Sequence, residues 1–147
     1  MSTTAQWVFE KAMSIADQLS DTGQFDNEYN VDLKARALPI LNVLRFECAM
    51  ASGEFTSRLR PGKHFVPNEI TSWEAKLDGI DDAVAQGAMP YGLAAHLMLD
   101  EDPDMASFCN QRYEEMLAVF RVRTQQVFEP IEYPYGQIDQ FNEGSRW

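Results

Sequence analysis

Cysteine, histidine and basic charge are all scarce in this chain. The two cysteines among its 147 residues, Cys48 and Cys109, stand far apart. Each falls inside a helical pattern, which argues against a disulfide framework or the paired-cysteine spacing of a metal site and leaves reduced core thiols as the expectation. The two histidines, His64 and His96, form no HExxH zinc motif, and neither a glycine-rich phosphate loop nor a G-x-S-x-G nucleophile elbow occurs. Against 23 acidic residues stand only 12 Lys and Arg, a formal net charge of −11. Affinity for nucleic acid rests largely on cations that displace counterions from phosphates, so tight DNA or RNA binding is not expected, although passive contact with DNA is compatible with this charge. Long apolar runs are missing too. The longest, residues 89–99, is broken by His96 and is about half the ~20 residues that a membrane-spanning helix needs. The opening "MSTTAQWVFEKAM" lacks the basic and then apolar segments of a secretory signal, so synthesis and residence in the cytoplasm are expected.

What is present is core-forming material. With 45% hydrophobic residues, nine Phe, five Tyr and three Trp, the chain is most simply one domain able to fill a core without staples. Val8, Ala12, Ile15, Ala16 and Leu19 follow Thr3 and Thr4 at helical spacing and predict a first helix over about residues 4–19. The loop "SDTGQFDNEYNVD" is acidic but puts Gly23 and Phe25 where a calcium loop needs oxygen ligands, so it reads as a solvated connection. Leu33, Ala37, Ile40, Leu41, Leu44 and Cys48 predict a second helix over about residues 31–51, with a kink or short break near Leu38 because Pro39 lies inside the pattern.

Residues 54–70 read differently. Pro61-Gly62 fits the centre of a type II turn between alternating residues, which predicts a small β-hairpin pairing about 55–60 with 63–67. It carries Arg58, Arg60, Lys63 and His64, the only basic cluster of the chain. These are either solvated hairpin residues or a contact for an acidic neighbour.

A third helix begins at Asp81 or Asp82, or near Met89 with Pro90 in its first turn, and would bury Val84, Ala88, Tyr91, Ala95 and Met98. It ends at an acidic corner: Asp100, Glu101, Asp102 and Asp104 surround Pro103. Asp102 followed by Pro103 is a helix start, and Asp104 adds favourable charge to the positive helix end, so a tight helical hairpin is expected there. Ala106, Cys109, Tyr113, Met116, Leu117, Phe120 and Val127 continue at helical spacing and predict a fourth helix over about 103–127. The fold expected is therefore all-α: a four-helix bundle domain over residues 1–128, with the 54–70 hairpin inserted between helices two and three, and an extended C-terminal tail over 129–147. In that tail Ile131, Tyr133, Tyr135, Ile138, Phe141 and Trp147 are interleaved with Pro134, Gly136 and Gly144. So aromatic a segment wants a surface to lie on, whether its own domain or another chain.

Catalytic chemistry has one weak candidate. His96 and Asp100 are four residues apart, and Cys109 lies across the corner, which would make a Cys/His pair or a small-ligand or metal site in a cytoplasmic helical bundle. A lone histidine in an apolar helix is more often a packing residue, and the pair Glu114-Glu115 is most simply a solvated face. No cofactor, no metal and no enzymatic activity are expected.

The stretch "PYGLAAHLMLDEDPDMASFCNQRYEEML" (90–117) resembles the core signature of the small helical head–tail connector, or adaptor, proteins of long-tailed bacteriophages and prophages: a YGLAA-type helix, an acidic corner, then an RYEE-bearing helix. "VFEKAMSIADQLSDTG" and "LKARALPILNVLRFECA" look like that family's first two helices, and "IEYPYGQI" like its tail. The resemblance implies a structural protein that passes from the bacterial host cytoplasm to the virion neck. There it would form a homo-oligomeric ring beneath the portal protein, while existing as a monomer in isolation, and receive a tail-side stopper or completion protein. DNA would pass through without specific binding, along carboxylates that repel its backbone. The acidic corner would face that channel or a basic neighbour. The aromatic tail and the basic hairpin, Arg58, Arg60 and Lys63, would supply the unlike patches that ring contacts need. A transient assembly chaperone is the other role such a chain could fill.

Overall fold

The computed structural model describes residues 2–16, 31–52 and 67–125. Among them the regular elements are α1 (Ala5–Ile15), α2 (Val31–Met50), α3 (Asp82–Gly87), α4 (Met89–Leu97) and α5 (Pro103–Gln125). The described residues contain no strand, only an isolated antiparallel bridge between Thr4 and Lys76. The described residues are thus all-α in class. Of the expected hairpin, residues 54–66 lie outside the described residues, and 67–70 carry no regular structure.

The centre of the fold is a short helix. Seven of the nine residues of α4, Met89, Pro90, Gly92, Leu93, Ala94, Ala95 and Leu97, are buried, and α4 packs against α1, α2, α3 and α5. Small side chains at 92, 94 and 95 let the neighbours approach from several sides, while Met89, Leu93 and Leu97 fill the space between them. Both expected starts are used: a short helix begins at Asp82 and ends at Gly87, and after Ala88 a second begins at Met89 with Pro90 in its first turn. Pro90 stands in the first turn of α4 and has no N–H to offer the carbonyl of Gln86, so the ladder is interrupted where a proline dictates.

α1 starts on Thr4, whose hydroxyl accepts from the Trp7 N–H at 3.3 Å, and buries Ala5, Val8, Phe9, Ala12 and Met13. Its first free N–H groups are satisfied from outside: Ala5 and Gln6 donate to the carbonyls of Ala75 and Trp73 at 3.2 and 3.0 Å. The segment 67–80 thus caps α1 with main chain. Asn42 of α2 holds the same segment by donating to the Ile70 carbonyl at 2.9 Å and accepting its N–H at 2.8 Å. The wholly buried Ser52 donates to the Cys48 carbonyl and accepts from the Asp81 N–H, each at 2.9 Å. At the N-terminus the Thr3 hydroxyl and N–H both donate to Asp82 Oδ1, at 2.7 and 2.9 Å, and this holds the Asp82 carboxyl below the usual carboxylate range.

Of the kink or short break expected near Leu38, the break does not occur: α2 runs through Pro39 as one helix. Pro39 and Ala35 lie on the exposed side, where the carbonyl that loses its N–H partner can turn to water. Its buried residues are Leu33, Ala37, Leu41, Leu44, Cys48 and Ala49.

α5 doubles back along α4 from the acidic corner. Asp102 begins it as expected: its carboxylate accepts from the Met105 N–H at 3.1 Å and its carbonyl from Ala106 at 2.9 Å. Ala106, Cys109, Tyr113 and Leu117 form its buried stripe. Residues 126–127, the end of the expected fourth helix, lie outside the described residues.

Candidate functional site

The two halves of the 90–117 stretch meet in space. A Cβ placed on Gly92 would lie 2.8 Å from Tyr113 Cε2, so glycine is what lets the tyrosine ring lie flat against α4. Beside it the Arg112 guanidinium sits 5.8 Å from the centre of the Tyr91 ring. The Tyr113 hydroxyl donates to Glu47 Oε2 at 2.7 Å and lies 3.7 Å from Cys48 Sγ. YGLAA and RYEE are therefore two sides of one packing lock that also ties in α2.

That lock is poor catalytic material. Burial, chiefly, pushes the Cys48 thiol up to about 12, and burial likewise raises Cys109 and the Tyr113 hydroxyl. A nucleophile needs its thiolate near neutral pH, and these groups hold the proton instead. His96 is exposed while Cys109 is wholly buried, so the pair imagined across the corner is divided between surface and core. His96 is also no packing residue: it points outward from the last turn of α4. Among the described residues no group of three His, Cys, Asp or Glu is placed to hold a metal ion. A polar hollow of about 410 Å³ beside Asp78, Asp81 and Asp82 includes Ser2 and Asn68 and belongs to the N-terminal strapping already described.

The surface offers more. Phe46, Met50 and Val43, at 43%, 54% and 66% exposure, recur along α2 at spacings of three and four. At 100° per residue they lie opposite its buried face. α5 shows a looser version: two exposed apolar places eleven residues apart, with Gln111, Arg112 and Glu115 on the same side between them. Phe108, Val119 and Val122 are about half exposed on the side away from Tyr113, with the Arg112–Glu115 ion pair at 3.4 Å alongside. α2 is thus apolar on two opposite sides, whereas the outer side of α5 is apolar only at Phe108 and again at Val119 and Val122. A surface helix ordinarily shows one apolar stripe.

Asp100, Glu101, Asp102 and Asp104 are all exposed. Asp102 is committed to its helix start. An apolar groove of about 250 Å³, which includes Leu99, Pro103 and Ala106, opens beside the corner. Arg58, Arg60 and Lys63, and the tail residues Ile131, Tyr133, Tyr135, Ile138, Phe141 and Trp147, lie outside the described residues. Comparisons with protein-family descriptions, curated proteins and solved structures find no match.

Sequence reasoning passed over the α2 and α5 outer stripes. The signal was present: Pro39, Val43, Phe46 and Met50 repeat at four, three and four residues, a second helical pattern out of phase with Leu33, Ala37, Leu41 and Leu44. No helix among the described residues is long and apolar enough to cross a membrane.

Proposed function

We propose that the chain is a structural head–tail connector of a long-tailed phage or prophage. Copies form a ring beneath the portal protein in the virion neck, extend the DNA channel and receive a tail-side protein. The observation that carries this reading is the outward apolar stripe Val43/Phe46/Met50 on α2, with a second, unlike set of exposed apolar residues, Phe108, Val119 and Val122, on α5. A contact between different patches on successive copies generates a ring when its rotation closes. The likeness of residues 90–117 to the connector signature supports it further, because its glycine and tyrosine meet as one packing lock. In this reading the domain is a four-helix bundle in which α3 and α4 together make one member, with a hairpin at 54–70 and an extended tail at 129–147. The net charge of −11 and the exposed carboxylates at 100–104 suit a wall along which DNA slides.

The test is sedimentation of the purified chain with the cognate portal ring. Wild type is expected to travel with the portal in a fixed ratio. The Val43→Glu/Phe46→Glu variant, with an unchanged far-UV spectrum, is expected to stay behind. A wild-type chain that never travels with its portal contradicts the reading.

A further inference from the structure

A groove of about 440 Å³ runs between the first turns of α2 and the 67–80 segment, lined by Val31, Lys34, Ala35, Leu38 and Trp73. Its walls are apolar, Val31 is exposed at its lip, and the Lys34 ammonium stands 5.5 Å from the centre of the Trp73 ring. Trp73 is firmly placed: its ring packs on Phe9 with centroids 5.1 Å apart, and its carbonyl caps α1. The groove is therefore built on fixed main chain.

A small polar ligand needs several converging polar groups, and this lining offers a single charged side chain at the rim. An extended segment that alternates apolar side chains with carboxylates fits it better. The chain itself carries one beyond Gln125, where α5 ends: "EPIEYPYGQIDQF", residues 129–141, in which Ile131, Tyr133, Tyr135 and Phe141 are interleaved with Glu129, Glu132 and Asp139. Pro134 favours the extended, left-handed conformation that aromatic-lined grooves accept with little further ordering.

Charge points the same way. Residues 129–147 carry four acidic residues against Arg146. α2, with Lys34, Arg36 and Arg45 against Asp32 and Glu47, is the one helix of the described residues with a net positive charge. Reach is sufficient. Tyr113 of α5 touches Cys48 of α2, so about 18 Å along α5, about 15–21 Å along α2 and about 10 Å between the axes put Gln125 no more than about 50 Å from Leu38 and Lys34. The sixteen residues from Gln125 to Phe141 span about 50 Å when extended.

We infer that the C-terminal segment 129–147 docks in the α2–Trp73 groove, with an aromatic side chain against Trp73 and Leu38 and a carboxylate beside Lys34. This inference stands apart from the portal-binding reading: the same docking serves within one chain or between adjacent copies.

The experiment uses the full chain with benzoylphenylalanine in place of Phe141. After illumination, an equal mixture of isotopically light and heavy chains is digested and the crosslinked peptides are mapped by mass spectrometry. Crosslinks are expected to concentrate on peptides containing Val31–Leu38 and Trp73, and to fall several-fold in a Lys34→Glu background whose far-UV spectrum is unchanged. Light–heavy and same-label crosslinks at the groove both support the docking. Crosslinks that fall mainly on other elements, an absence of crosslinks, or a yield indifferent to Lys34→Glu would overturn it. Because portal sedimentation is read separately, docking can fail while the connector reading survives, and the reverse.

Discussion

α4 and α5 lie along each other, yet they spend their residues in opposite ways. α4 has nine residues and buries seven. α5 has 23, shows one buried stripe of Ala106, Cys109, Tyr113 and Leu117, and turns Phe108, Val119 and Val122 to solvent. A helix surrounded by packing partners contributes to stability through nearly every side chain. A helix with outward apolar side chains retains surface that a further contact can cover. The contrast separates residues that hold the fold from apolar residues left at the surface of the described elements.

The comparison is broken most severely from inside. Leu93→Ala removes a wholly buried side chain at the centre of α4 and is expected to lower the unfolding free energy by about 2–5 kcal/mol, read from chemical denaturation. Gly92→Ala probes the lock between the two helices. The new Cβ meets the Tyr113 ring, whose hydroxyl is held by Glu47, so the ring cannot swing away freely. A net loss of about 1–3 kcal/mol is expected, despite the better helix propensity of alanine. If Gly92→Ala proves stabilising, the lock is looser than described.

How much of this was legible in the sequence follows from the range of the interactions. Thr4 and Asp102-Pro103 announce helix starts because capping is decided within a few residues. The segment 67–80 was opaque, since its place depends on Asn42 and on the first residues of α1, which are distant in sequence. α4 blurred because a helix buried almost all round has no polar side to mark its period, so Ala94 and Leu97 carried no signal of their own. At Pro39 the pattern allowed a break that the helix does not make: a proline on an exposed helix face can be carried without ending the helix. The division between exposed His96 and buried Cys109 likewise required the corner to be in place.

A smaller effect sharpens the picture at the N-terminus. The Asp82 carboxyl is held below its ordinary value by the two Thr3 hydrogen bonds. Its folded pKa is lower than its unfolded one, near 3.9. The stabilisation is therefore fully present above about pH 4 and is lost as pH falls through the folded value. Melting temperatures followed from about pH 6 down to about pH 3 should fall more steeply for wild type than for Asp82→Asn; parallel curves would mean that the strap contributes nothing. Smallest of all is the effect of the outer stripe on folding. Val43→Ser, at the most exposed of the three α2 positions, is expected to change the unfolding free energy by no more than about 0.5 kcal/mol. A much larger loss in denaturant titration would make that face part of the core rather than a contact surface.

The most direct measurement is electron cryomicroscopy of portal-bearing, DNA-filled capsids incubated with the purified chain. The connector reading predicts a closed ring of density beneath the portal, with the outer stripe of α2 in one copy or that of α5 in the next buried at each subunit boundary, and with carboxylates lining an open channel. Capsids whose portals remain bare at saturating protein, or density that contacts the portal without either stripe being covered, would contradict it.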